Sequence, residues 1–171
     1  FDGFVCGCGT NIYCDGKEVM YTPSTHEITM EILEAARAND LDFFFESKNG
    51  TAFDSTRRLK DPEAIALYNG LMEGPYHVIE DIYDPNYSFD KFVIWYQEES
   101  QLTAFRKVSD KYFDCIDRGG NFRELVPHGC SKASGPQYVL DYYNISKENA
   151  YALGDSNNDL AMLTYLPNSI A

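Results

Sequence analysis

Apolar and polar positions change their spacing several times along the 171 residues, and each change marks the passage from a strand to a turn or a helix. Phe4 to Cys8 reads as a short strand, followed after a glycine-rich turn by a second one through Ile12 and Tyr13. Asp15-Gly16 is a tight hairpin signal that leads into Glu18 to Tyr21. Behind a Ser24 or Thr25 cap, Ile28, Ile32, Leu33 and Ala36 recur at helical spacing, and that helix is expected to end near Asn39-Asp40. Leu41 to Glu46 and Thr51 to Phe53 form a hairpin about Asn49-Gly50. Asp61-Pro62 opens a helix with Ile65, Tyr68, Leu71 and Met72 behind it, and Gly74-Pro75 closes it. Residues 79–90 are acidic and aromatic around Pro85 and read as a loop with a brief ordered piece. Lys91 to Gln97 is a strand, Ser100 to Lys111 a helix, and Phe113 to Ile116 and Asn121 to Val126 are strands joined through Gly119-Gly120. Asp40-Leu41-Asp42 falls between a helix and a strand and reads as a turn.

The stretch from Ala150 to Leu166 carries the first chemical signal. An apolar run of strand length stops at Gly154, a polar cluster Asp155-Ser156-Asn157-Asn158-Asp159 follows, and Leu160, Leu163 and Leu166 resume at a spacing that suits a helix. Open α/β sheets bind ligands at such strand ends, where a helix N-terminus favours an anion. Mg²⁺ is held by one or two carboxylates plus waters and phosphate oxygens, which makes Asp155 the leading ligand and Asp159, four residues on, a second. Asn158 offers an uncharged amide donor to a phosphate oxygen. An EF-hand is excluded, because Leu160 and Leu166 stand where that loop needs glycine and glutamate. Plain helix capping by Asp155 or Ser156 is the competing account.

A second signal lies upstream in Pro127-His128-Gly129-Cys130-Ser131-Lys132-Ala133-Ser134-Gly135. Ser131 is a fitting N-cap for a helix through Gln137 to Tyr143, and it would hold Lys132 at the helix entrance beside any anion bound there. A solvated surface charge is the ordinary fate of a lone lysine, so its pairing with the downstream acids is the informative part.

These two stretches together resemble motifs III and IV of the haloacid dehalogenase (HAD) superfamily, in its Cof-like phosphatase branch. The opening Phe1 to Tyr13 is similar to that branch just before its cap, with Cys8-Gly9 where the family usually has Asn-Gly. The resemblance implies an α/β fold, part of a HAD-type Rossmann-like core with an inserted α/β type IIB cap domain. It implies core segments at 1–14 and 128–171 and a cap at 15–127. It further implies a Mg²⁺-dependent phosphohydrolase acting on a small phosphorylated metabolite, such as a sugar phosphate, through an aspartyl-phosphate intermediate. Lys132, Asp155 and Asn158 would be catalytic, Lys132 and Asn158 phosphate-binding, and Asp155 and Asp159 the metal positions. The family's Asp-x-Asp nucleophile motif is not recognisable in these residues, so the chain reads as an internal piece of a longer enzyme, inactive by itself. A phosphomutase, or a non-catalytic small-molecule binding or regulatory protein, are the alternatives.

Composition narrows the choice. Hydrophobic content of 44% with 15% aromatic residues marks a folded chain, and a net charge of -13 argues against nucleic acid as a partner. No apolar run approaches the roughly eighteen residues of a membrane span. The five cysteines fit a reducing cytoplasm better than a disulfide framework. Cys6, Cys8 and Cys14 raise a soft-metal alternative that lacks a matching second pair. Phe43-Phe44-Phe45 is expected in the core, and Lys48, Arg57, Arg58 and Arg118 are loop cations within reach of a polar ligand or of solvent.

Overall fold

The computed structural model describes residues 1–79, 81–156 and 159–171, which form a mixed α/β chain divided into two compact units. One comprises residues 1–22 and 126–171, the other residues 23–125.

In the first unit, β1 (Gly3–Cys6), β2 (Asn11–Cys14) and β3 (Lys17–Tyr21) make an antiparallel sheet in chain order. Asp15 and Gly16 both take positive φ, as a hairpin turn matched to strand twist requires. The first strand is shorter than its apolar pattern suggests. Gly7, Cys8 and Gly9 are all left-handed, with φ of 56°, 57° and 94°, and this ends the strand at Cys6 and coils Cys8 into a tight turn. Helix α4 (Ser134–Tyr142) packs on this sheet. The unit closes with β10 (Tyr151–Leu153), the short helix α5 (Leu160–Tyr165) and β11 (Asn168–Ile170), whose parallel pairing to β10 completes a βαβ-type turn of chain.

The second unit is built on a sheet whose order, among the described residues, is β6 (Val78–Ile79), β5 (Gly50–Phe53), β4 (Asp42–Ser47), β7 (Lys91–Trp95), β9 (Phe122–Pro127) and β8 (Phe113–Asp117). The 79–90 loop thus begins on a strand pair, with β6 parallel to β5. Phe43 and Phe45 point to one face and Phe44 to the other, and all three are buried because helices cover both faces. On the first face lie α1 (His26–Ala38) and α3 (Glu99–Ser109). The α1 residues Thr29, Ile32, Leu33 and Ala36 make one buried stripe, and Thr25 caps its start by accepting the Ile28 N–H at 3.2 Å. Gln101 Oε1 accepts the N–H groups of Gln97 and Glu98 at 2.7 and 2.8 Å, fixing the entry to α3. On the second face, α2 (Pro62–Glu73) sets Ala64 and Leu71 over Phe44, Val93 and Trp95.

Phe45 is fully buried in the larger cluster, stacked on Phe89 at 4.4 Å between centroids and edge-on to Phe92 at 5.6 Å. Its truncation removes contacts that no neighbour can replace without breaking other ring pairs. Phe45→Ala is expected to cost about 3–5 kcal/mol of stability, read as a lower urea midpoint with an unchanged m-value. A loss under about 1 kcal/mol would mean that the aromatic layer repacks freely.

Candidate active site

Two turns of the first unit meet at one carboxylate. The earlier turn runs from Cys130 to Gly135. Ser131 Oγ accepts the N–H groups of Ala133 and Ser134 at 3.1 and 3.0 Å, which is the capping pattern expected of it, although regular helix begins only at Ser134. Ser134 Oγ accepts the Ser131 N–H at 2.8 Å and donates to the Ser131 carbonyl at 3.2 Å. Lys132 is therefore anchored at its backbone on both sides. The Gly7–Gly9 turn lies against this segment: a Cβ at Gly9 would come within 2.7 Å of the Ser131 carbonyl oxygen, and one at Gly135 within 2.3 Å of Val5.

The later turn starts where Gly154 makes the last ladder bond, its N–H donating to Ile170 at 3.1 Å. Asp155 follows directly after Gly154, past the end of the strand, and is exposed. Asp159 folds back over this strand end. Its Oδ2 accepts from Ser156 Oγ at 2.9 Å and lies 3.3 Å from the N–H groups of both Asp155 and Ser156. A Cβ at Gly154 would sit 2.5 Å from the Asp159 Cβ, so only glycine permits the approach.

The other Asp159 oxygen, Oδ1, receives the Lys132 ammonium at 2.6 Å across 27 residues of sequence. Lys132 keeps 33% of its side chain accessible and Asp159 only 11%. The Lys132 hydrogen bond, followed by that of Ser156, holds the Asp159 carboxyl well below its ordinary value, at about 2. An ammonium has three donors, so the pair leaves Lys132 with hydrogen-bonding capacity to spare.

A family model for haloacid dehalogenase-like hydrolases matches residues 2–171. The chain belongs to the haloacid dehalogenase-like hydrolase family. Among curated relatives, the 5-amino-6-(5-phospho-D-ribitylamino)uracil phosphatase YitU of Bacillus subtilis is 33% identical over 79 residues, covering 43% of this chain and 29% of that protein. Among solved structures, the HAD-superfamily phosphatase BT1666 of Bacteroides thetaiotaomicron superposes with a TM-score of 0.75 at 22% identity, over 96% of this chain and 60% of that one. The HAD subclass IIB sugar phosphatase BT4131 also gives 0.75, at 11% identity, over 98% of this chain and 63% of that one. At such identities the structural likenesses establish the fold, and the chain spans less than two thirds of each relative's length.

Within this haloacid dehalogenase-like hydrolase, the structure brings Lys132 and Asp155 to the same site, with Asp159 joining the lysine to the backbone of Asp155. Asn158 lies outside the described residues. Among the described residues, the Asp159 side chain at the N-cap of α5 makes no capping bond to the helix and turns back instead to Ser156 and the backbone of Asp155. Two contributors escaped the sequence reading: Ser156, whose hydroxyl fixes Asp159, and Gly154, whose missing side chain admits it. A glycine placed directly before an acid at a strand end was the available signal. The soft-metal alternative fails on register, since Cys6 pairs with Asn11 and Cys14 with Gly3, at opposite ends of one hairpin.

An acid held below its unfolded value stabilises the native state above that value and loses the contribution as pH falls through the folded one. For Asp159 the loss falls between its ordinary value of 3.8 and about 2. Lys132→Met is expected to raise the Asp159 titration in a ¹³C-detected NMR series and to flatten the acid limb of the stability profile over that window. An Asp159 titration unmoved by the change would show that the ion pair does not control it.

Proposed function

We propose that the intact protein is a Mg²⁺-dependent phosphatase acting on a small phosphorylated metabolite, with Lys132, Asp155 and Asn158 at its reaction centre. The observation that carries this reading is the 2.6 Å contact of Lys132 with Asp159, which joins an ammonium to the turn bearing an exposed carboxylate. The phosphorylated ribitylaminouracil named for the Bacillus relative and the sugar phosphatase among the structures support a phosphate-ester substrate with a polyol or sugar part. The reading assigns residues 15–127, centred on the compact unit of residues 23–125, to a cap and the flanking segments 1–14 and 128–171 to the core.

The donors present suit Mg²⁺. Among the described residues no group of three or more His, Cys, Asp or Glu side chains converges, so there is no closed all-protein cage. Mg²⁺ needs none, since it takes one or two carboxylates and completes its shell with water and substrate oxygens. Asp155 would bind it directly. Asp159, whose two oxygens are engaged, would act through the turn and through Lys132. When bound, the ion neutralises phosphate charge and aligns donor and acceptor.

Lys132 donates its remaining N–H groups to phosphoryl oxygens, and Asn158 adds a neutral donor without adding charge. An aspartate supplied from outside these residues attacks phosphorus, the P–O bond to the leaving alcohol breaks, and water then cleaves the aspartyl-phosphate to release inorganic phosphate. With the ion held by Asp155, it and the Lys132 ammonium would reverse locally the negative field of a chain with net charge -13 and so let an anionic substrate approach.

Phosphate release by the intact protein against a panel of sugar, polyol and nucleotide phosphates tests the reading. Asp155→Asn is expected to lose most Mg²⁺-dependent turnover. Lys132→Ala should weaken substrate binding and lower kcat by about 10²–10³-fold. Near-normal rates in either variant would remove that residue from the centre, and sugar isomer formation in place of phosphate release would identify a phosphomutase.

A further inference from the structure

The second unit holds a cavity of about 360 Å³ that the phosphoryl-transfer reading does not use. Its apolar wall is Phe53, Leu59, Ile65 and Tyr68, with the Phe53 and Tyr68 rings set edge to face at 5.1 Å. Arg57 and Arg58, with Ser55 and Asn69, complete the lining. The two arginines differ in how they are held. Arg57 is tied to the Asp40 carboxylate and donates to the Arg37 carbonyl at 3.4 Å, and Asp40 is also shared with Lys60. Arg58 is exposed and, among the described residues, is paired with no carboxylate. Among the described residues, the Arg58 guanidinium thus stands at an aromatic wall with no acid to neutralise it, although the chain carries a net charge of -13.

A guanidinium is always charged and presents a planar fork that matches a carboxylate or phosphate with two parallel hydrogen bonds. Ile65, exposed at 39% on the wall, offers apolar contact to a ring. The volume lies at the small end of ligand pockets, enough for one or two fused rings with an anionic group and too little for a polymer.

We propose that this cavity binds a small anionic molecule carrying a flat apolar ring, with Arg58 gripping the anion and Phe53, Ile65 and Tyr68 holding the ring. The site is built from other residues than the Lys132 centre and does not rest on the reaction proposed for it.

An NMR titration of the ¹⁵N-labelled protein with 2-naphthoate, and with the neutral 2-naphthamide as its control, tests the assignment. Shifts are expected to centre on residues 53–69, with naphthamide bound at least about tenfold more weakly. Arg58→Gln and Ile65→Asp, both at exposed positions, should each weaken naphthoate by a similar factor while leaving the thermal midpoint in place, and Lys132→Ala should leave naphthoate binding unchanged. The assignment is overturned by absence of binding, by shifts centred on Lys132 or scattered over the surface, by equal affinity for the amide, or by indifference to Arg58→Gln.

Discussion

The Asp159 carboxylate is the constraint around which the first unit is arranged. With 11% of its side chain accessible, it has given up most of its hydration and needs partners for both oxygens. One oxygen takes the Lys132 ammonium; the other takes the Ser156 hydroxyl and two backbone N–H groups. A part-buried ion pair of this kind is weak support for stability on its own, because desolvation offsets much of the attraction. Its effect is positional. It locks the entry turn of α4 to the end of β10 and the start of α5.

That arrangement demands room, and glycine supplies it. Gly154 lets Asp159 close over the strand end, while Gly9 and Gly135 let the left-handed turn of residues 7–9 lie against the Ser131 segment. Each glycine costs about 0.5–1 kcal/mol of chain entropy relative to alanine, and the close approaches are what offset it. Cys8 takes a left-handed φ of 57° inside the same turn, a strain tolerated because its neighbours on both sides are glycines with the same sign of φ.

The second unit solves a different problem with the opposite means. Its sheet is buried on both faces, so β4 is apolar at three successive positions instead of alternating. Carboxylates there serve as staples. Asp42 is buried and accepts the N–H groups of Lys60 and Asp61 at 2.7 Å each, Asp54 holds Arg37 at 2.6 Å, and Asp40 gathers Arg57 and Lys60. The Asp40-Leu41-Asp42 letters therefore belong to loop anchoring, and among the described residues the same staples leave Arg58 without a carboxylate while its loop neighbours Arg57 and Lys60 are paired.

Most elements were legible in the sequence because their causes are local. The Asp15-Gly16 turn, the Thr25 and Asp61 caps and the apolar stripe of α1 each depend on residues within a turn or two of one another. The nearness of Lys132 to the acids had no local cause and was an expectation carried by the resemblance of two separated motifs to the family's pattern. Which acid the lysine chose was not legible, for it depends on Gly154 and Ser156 folding Asp159 back across the strand end, an event set by contact distances in space. The cavity at Arg57 and Arg58 was equally hidden, since charge left unpaired is defined by every carboxylate within reach of it, and sequence order does not say which those are. Local pattern thus determined the elements, and close packing at places without side chains decided how the reactive groups face one another.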